Sequence, residues 1–497
     1  MPQLGFYHDD SLYWVGAESI AQGQGYRIPS LPGEPFQTKY PPLFPALLAL
    51  VWKLNPSFPS NLPFATFLVW SVFPVYLFLV WRLFRRLRFG EGEQIALTAI
   101  AALNPMAVLL SMSLMPELLS TTLLLAVFLV RPAALRGGLG AVAYLAKSAV
   151  LPLLVTVPLC YAIRRQYRQA ALFAGAMLPG VLVWQAWVQS HLSKSQDLVT
   201  LYYTNYLGFQ LYNVSWRDLP VVVWYNLDGF LMGIGKLLTF DAAIFESKHV
   251  ERVVAIAAIA GVIRLARQTR EIEYPAFAGA FAAMLLVWHY QPDQRFVFPL
   301  YPLLLAGLWA ELKNVGLALQ ASWDRNATGD RIASAAFGSV LAVFALFFVS
   351  ASVWGLAVFL PRVLTSYRDD LAARRPAYRW LANTAPADAG VFAYDDPLVY
   401  LYTGRHACGL PIPTRLYYHD DQASLDRMVD DVPAFAVGHH LEYVLLTPTD
   451  FYRDLHEAGA RRLGRALAAD PAARELYESG AARIFSIGAM RGVAAVR

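Results

Sequence analysis

The feature that most limits how this chain can fold is a series of apolar runs, with arginines gathered at every second gap between them. The runs lie at 61–81, 94–114, 116–131, 137–148, 149–163, 170–189, 251–267, 274–290, 295–311 and 332–358. A perpendicular helix needs roughly 20 apolar residues to cross a bilayer. Several runs are shorter, so neighbouring spans are expected to share polar turns within the bilayer boundary. Arg82, Arg85, Arg86 and Arg88 follow the first run; Arg131 and Arg136, then Arg164, Arg165 and Arg168, follow later ones. Arg264, Arg267 and Arg270 form a fourth cluster, and Lys313, Arg325 and Arg331 a fifth. Placing all five in the cytoplasm satisfies the positive-inside rule. Only 15% of the 497 residues are charged, against about 25% in soluble proteins. The net charge of +5 is thus explained by orientation-setting loops. Membrane lipids are the expected partner and nucleic acid is not. The expected fold class is an α-helical polytopic membrane protein of about ten spans.

Two apolar pieces read differently. The stretch 221–240 is interrupted by Asn226, Asp228, Gly229, Gly233, Gly235 and Lys236. If it spanned, the Arg264 cluster would change sides, so a re-entrant or surface-lying segment is expected. The stretch 41–54 is too short to span and opens on prolines, which a first helical turn tolerates; it reads as an interfacial helix. Beyond about 370 the apolar runs shorten and charges rise. Residues 390–394, 442–446 and 483–487 read as strands. Residues 369–383, 422–431 and 450–459 read as helices. The organisation expected is an outer loop with interfacial helices (1–60), a transmembrane domain (61–358) and a small α/β domain on the outer face (370–497).

The predicted outer face collects the residues that can carry chemistry. Asp9 and Asp10 stand side by side in Tyr7-His8-Asp9-Asp10-Ser11-Leu12-Tyr13-Trp14. A carboxylate at a membrane boundary can take a proton from an acceptor or orient it. One aspartate also suits the cap of a helix over 11–22, but a cap does not need the second. Lys39 and Tyr40 lie in Gln37-Thr38-Lys39-Tyr40-Pro41-Pro42; the lysine suits a phosphate, or simply snorkels. Glu117 is an acid between two apolar runs, a functional candidate by position or a residue favoured by a helix N-terminus. Lys147 lies between two apolar segments, and Arg295 has the fork geometry that clamps phosphate; either cation also suits an interface marker. Tyr202, Tyr203, Tyr206, Tyr212, Trp216, Trp224 and Tyr225 suit sugar stacking or a membrane interface. The paired acids offer oxygens to a divalent cation, but no oxygen cage is legible. No zinc spacing, P-loop or nucleophile triad is visible.

Asp9-Asp10-Ser-Leu-Tyr13, Gly23-Gln-Gly25-Tyr26 and Lys39-Tyr-Pro-Pro-Leu-Phe-Pro45 together resemble the first outer loop of GT-C glycosyltransferases. The branch resembled is that of the protein O-mannosyltransferases and the lipid A aminoarabinose transferase. Arg295-Phe-Val-Phe-Pro299-Leu-Tyr-Pro302 matches a recurring family pattern, and the resemblance covers roughly residues 5–305. It implies an enzyme that takes a sugar from a polyprenyl-phosphate carrier to a lipid, glycan or protein acceptor, by inversion. The site would lie at the outer face of the inner (plasma) membrane. Asp9, Asp10 and Glu117 would then serve the acceptor, Lys39 and Arg295 would hold the carrier phosphate, and Tyr40 and Lys147 would complete the substrate-binding set. The family carries a transmembrane helix ahead of the acidic loop, which is expected to be absent here. A transporter, with charges buried mid-span and symmetry-related repeats, or a non-catalytic assembly protein are the competing classes.

Overall fold

The computed structural model describes residues 4–240, 248–323, 329–451 and 458–487. Among the described residues, five helices are long and apolar enough to cross a membrane: Leu62–Arg86, Tyr167–His191, Leu219–Thr239, Gln294–Ala318 and Val349–Thr384. Glu91–Ala102 and Pro105–Met112, bent by 56°, make a sixth if counted as one span. At that break the Asn104 side chain accepts from the amides of Met106 and Ala107 and donates to the Leu237 carbonyl at 2.8 Å. It caps the second piece and occupies a carbonyl of a neighbouring helix.

The expected count of about ten is therefore too high. The runs 116–131, 137–148, 149–163 and 274–290 fold as Glu117–Leu129, Ala133–Ala146, Ser148–Ile163 and Glu273–Leu286. At about 1.5 Å per residue, helices of 13–16 residues fall short of a roughly 30 Å hydrocarbon core. The flanking apolar residues that lengthened these runs lie in non-helical connections such as Ser113–Pro116 and Val287–Asp293. Residues 251–267 lie within the helix Lys248–Thr269. The last span also differs from expectation, because helix continues through a π-helical turn at Gly355–Phe359 to Thr384, entering the tail domain.

Leu219–Thr239, expected to be re-entrant or surface-lying, has both the length and the hydropathy of a span. Asp228 pairs with Arg252, while a Cβ on Gly235 would meet Glu251. Gly229 and Gly233 lie against Gln291, Pro292 and Asp293, which belong to the loop before Arg295. The glycine and polar interruptions of 221–240 thus serve close packing on neighbouring segments and do not break the helix, which corrects the expectation of a re-entrant or surface-lying piece.

Ion pairs sort the loops into two sets. Arg86 reaches Glu271, Arg136 and Arg164 reach Glu273, Arg264 reaches Glu311 and Lys313 reaches Glu93. All these residues come from the gaps assigned to the cytoplasm. Asp9, Glu117, Lys147 and Arg295, from gaps assigned outside, contact one another.

The helix Leu43–Leu54 packs on His8–Ala21, with Trp14 and Trp52 stacked at 4.8 Å. The tail carries a five-stranded mixed sheet of β1 (Gly390–Phe392), β2 (Ala407–Cys408), β3 (Leu441–Leu446), β4 (Arg474–Glu478) and β5 (Arg483–Ser486). Its order is β2-β1-β3-β5-β4. β1 runs parallel to β2 and β3, and β5 antiparallel to β3 and β4. The expected helices 369–383 and 422–431 lie at Leu360–Thr384 and Gln422–Asp430; most of 450–459 lies outside the described residues. The sheet does not stand apart from the loop. Leu12, Ile28 and Leu31 share one buried apolar cluster with Phe392, Val444 and Phe485, and the Ala407 amide donates to the Ser30 carbonyl at 2.7 Å.

Candidate functional site

Six of the seven expected residues meet around Arg295. Asp293 caps the short helix Gln294–Val297, accepting from the amides of Arg295 and Phe296, and this aims Arg295 at the acidic loop. Arg295 Nη1 donates to Asp9 Oδ2 at 3.0 Å, and its Nε lies 3.8 Å from Glu117 Oε1. Lys147 Nζ donates to the same Glu117 oxygen at 2.7 Å. The Tyr40 hydroxyl donates to Asp9 Oδ1 at 2.6 Å. Lys39 stands over the ring of Tyr202 at 4.3 Å, with Tyr40 and Tyr206 also near. The guanidinium of Arg295 stacks on Tyr7 and Phe296, each at 4.9 Å, an arrangement that attracts a cation to the ring face.

The two aspartates part company. Asp9 faces the cluster. Asp10 is fully buried and turns back on its own helix terminus, accepting from the amides of Gly5 and Tyr7 and from the Ser11 hydroxyl. It is the capping aspartate, reaching back from inside the first turn, and stands outside the cluster expected to hold it. The paired acids are committed to separate partners. Among the described residues no group of three or more His, Cys, Asp or Glu side chains is placed to hold a metal.

Electrostatics follow the same division. Burial alone would raise Asp9, but Arg295, Lys39 and the Tyr40 hydroxyl together hold its carboxyl well below the usual range. Asp10 has no cation and is pushed up to about 7, by burial first and also by the charge of Asp9, against its hydrogen bonds. Burial lowers Lys39 to about 8, with Asp9 opposing and Arg295 adding to the fall. Several atoms of the cluster are left wanting: Glu117 Oε2 and Arg295 Nε are buried without a hydrogen-bond partner. The chain thus supplies three cations, two acids and aromatic walls, fit to hold an anion beside a carboxylate.

Sequence reasoning missed the second layer. His8 Nε2 lies 2.8 Å from Asp396 Oδ1, which also accepts from the Tyr203 hydroxyl at 2.8 Å. This buried unit ties the tail domain to the residue next to Asp9. Burial opposes the charge on His8, but Asp396, helped by Asp9 and Asp395, more than offsets it and raises the imidazole. Gln37, whose amide oxygen accepts from the backbone of Lys39 and Tyr40, fixes the lysine loop. Gln37 and His8 lay inside motifs already singled out, whereas Asp396 had no signal beyond a helix-opening Asp-Asp-Pro.

No protein-family model matches the chain, and no curated protein resembles it in sequence. Solved structures do. ArnT from Cupriavidus metallidurans bound to undecaprenyl phosphate superposes with a TM-score of 0.51 at 12% identity, over 96% of this chain and 93% of that one. The same protein in the apo state gives 0.50 at 12% identity, over 97% and 93%. The arabinofuranosyltransferase AftD from Mycobacteria gives 0.43 at 14% identity, over 96% of this chain and 38% of AftD. The chain shares the ArnT fold along nearly its whole length.

Proposed function

We propose that this chain is an integral membrane glycosyltransferase of GT-C type. It moves a sugar from a polyprenyl-phosphate carrier to a lipid, glycan or protein acceptor at the outer face of the inner membrane. The observation that carries the reading is the meeting of Asp9, Lys39, Tyr40, Glu117, Lys147 and Arg295. They come from five separate stretches of sequence and form one cluster whose buried polar atoms are partly unpartnered. The fold likeness to a protein crystallised with undecaprenyl phosphate adds support.

In this reading the acceptor hydroxyl or amine attacks the anomeric carbon while the bond to the carrier phosphate breaks. Charge grows on the departing phosphate, and Lys39, Lys147 and Arg295 stabilise it; preorganised charge of this kind is often the largest catalytic contribution. The proton passes to Asp9. Before donor binding Asp9 is a weak base, because Arg295 and Lys39 hold it ionised. Once those cations engage phosphate, their pull on Asp9 weakens and its basicity rises. Binding the donor thereby arms the base. Glu117 positions Lys147 and Arg295 and offers its free oxygen to the acceptor.

The test is transfer from labelled polyprenyl-phosphate sugars in membranes holding wild type, Asp9→Asn or Asp10→Asn. Removing a general base typically costs 10²–10⁴-fold, so Asp9→Asn should lose about 100-fold or more. Asp10→Asn should keep most of the turnover per folded molecule. Equal transfer by all three would sink the assignment.

A further inference from the structure

The opposite face carries a charged cavity that the proposed reaction does not use. A cavity of about 710 Å³ is lined by Arg131, Tyr161, Arg165, Gln166, Tyr167 and Arg168, with neighbouring residues. It lies at the arginine-rich ends assigned to the cytoplasm. Some arginines there are occupied: Arg86, Arg136, Arg164 and Arg264 each hold a glutamate, whereas others such as Arg82, Arg85 and Arg88 hold none among the described residues but do not line this cavity. Among the described residues the side chains of Arg131, Arg165 and Arg168 have no such partner. Three like charges around one cavity repel one another unless an anion joins them.

Two more features converge there. The helices Ala133–Ala146 and Tyr167–His191 both begin at the cavity without a side-chain cap, leaving their first amides open to an anion. Arg165 is held at φ +58°, just past the end of Leu153–Ile163, where glycine is the usual choice. The chain thus accepts backbone strain and keeps an arginine side chain at this point. On the helix that leads into Arg165, Val155, Leu159 and Ile163 are exposed at 67%, 55% and 65%. Their four-residue spacing puts them on one helix face, forming an apolar strip that ends at the arginines.

We propose that this cavity binds a phosphate diester, supplied by an anionic phospholipid of the inner leaflet. Arg131, Arg165 and Arg168 hold the headgroup, and an acyl chain lies along Val155, Leu159 and Ile163. The site is separate from the outer cluster and rests on no feature of the transfer reaction.

The test is thermal unfolding of the full chain in neutral detergent, titrated with phosphatidylglycerol, phosphatidylcholine or inorganic phosphate. A ligand that binds the folded state raises Tm with concentration. Phosphatidylglycerol should raise Tm at concentrations where phosphatidylcholine does not. At about 1 kcal/mol per arginine, Arg165→Ala with Arg168→Ala should weaken that response about 25-fold. Arg165→Gly relieves the strained backbone, so it should raise Tm without lipid yet lose part of the lipid response; a variant that merely fails to fold cannot do both. Arg88, also at positive φ (+65°) on the same face, is the control, and Arg88→Ala should respond like wild type. An equal loss in Arg88→Ala would overturn the proposal in favour of diffuse surface charge. A response to inorganic phosphate as strong as that to the lipid would overturn the lipid assignment.

Discussion

Two charge clusters cross-link helices in this chain, one on each face, and they differ in how completely they are satisfied. On the arginine-rich face Arg136 is buried with all three nitrogens occupied. Its Nε donates to the Val127 carbonyl at 2.8 Å, Nη1 to the Tyr161 hydroxyl at 2.6 Å, and Nη2 to Glu273. Glu273 uses its other oxygen for Arg164 at 2.9 Å. On the other face Arg295 is somewhat less buried, at 13% side-chain exposure against 5% for Arg136, and its Nε and Glu117 Oε2 lack partners. Leaving buried polar groups unpaired costs about 1–3 kcal/mol each, more for charged ones. A closed network has nothing left to offer a ligand and serves as scaffold. The open one carries unspent hydrogen-bonding capacity, which is what a binding site for a charged substrate requires.

The sharpest way to break this contrast is to remove one arginine from each cluster. Arg136→Met leaves buried Glu273 with Arg164 alone and takes the donor from the Val127 carbonyl and the Tyr161 hydroxyl as well, and each buried group left unpaired typically costs about 1–3 kcal/mol. Turnover per folded molecule should change little, so lost activity should track lost folded protein. Arg295→Met should do the reverse. Asp9 keeps Tyr40 and Glu117 keeps Lys147, so unfolding in detergent should shift less than for Arg136→Met. Losing one preorganised donor to developing charge typically costs about 10²–10³-fold, and transfer should fall by that order. If both variants lost equal stability and equal turnover, the outer cluster would be scaffold too.

A smaller effect, visible without any substrate, should come from pH. Asp10 is pushed up to about 7, from an ordinary 3.8, so the folded chain holds a proton that the unfolded chain gives up. Its contribution to stability is fully present below 3.8 and is lost as pH rises through about 7. Melting temperatures measured across that window should fall on the alkaline side, and Asp10→Asn should flatten the slope. A wild-type curve that rises instead would show Asp10 ionised and place both aspartates in one electrostatic unit.

What the sequence made legible follows from which signals are local. Arginine placement is a loop-by-loop record, so the two faces were readable, and the ion pairs join residues within each set as that record requires. Motif residues next to turns and prolines, such as Lys39, Glu117 and Arg295, were equally readable. Span lengths were not, because an apolar residue in a turn or loop has the same hydropathy as one in a helix; Val287 and Met115 show it. The roles of Asp9 and Asp10 were not separable either. Both fit a cap, and only the direction of the chain at Gly5 decides which carboxylate meets the free amides. Asp396 was out of reach for a different reason, since its partners His8 and Tyr203 lie 388 and 193 residues away, and no local pattern encodes such a contact.

The finest test of the open cluster is Tyr40→Phe, which deletes one hydroxyl. The ring keeps its packing on Tyr13, 4.8 Å away, so the fold should hold. Asp9 loses a 2.6 Å hydrogen bond, of the charged kind worth about 1.5–3 kcal/mol. That bond favours the ionised carboxylate, so its removal should move the acid limb of the transfer-rate profile to higher pH. Turnover at neutral pH should fall by about tenfold, less than for Arg295→Met, because the guanidinium still holds the other Asp9 oxygen. The two readouts separate two jobs for the hydroxyl. A shifted limb means that Tyr40 tunes Asp9. An unshifted limb with the same drop in rate means that the hydroxyl itself meets the substrate, and Tyr40 then belongs with the donor-binding cations.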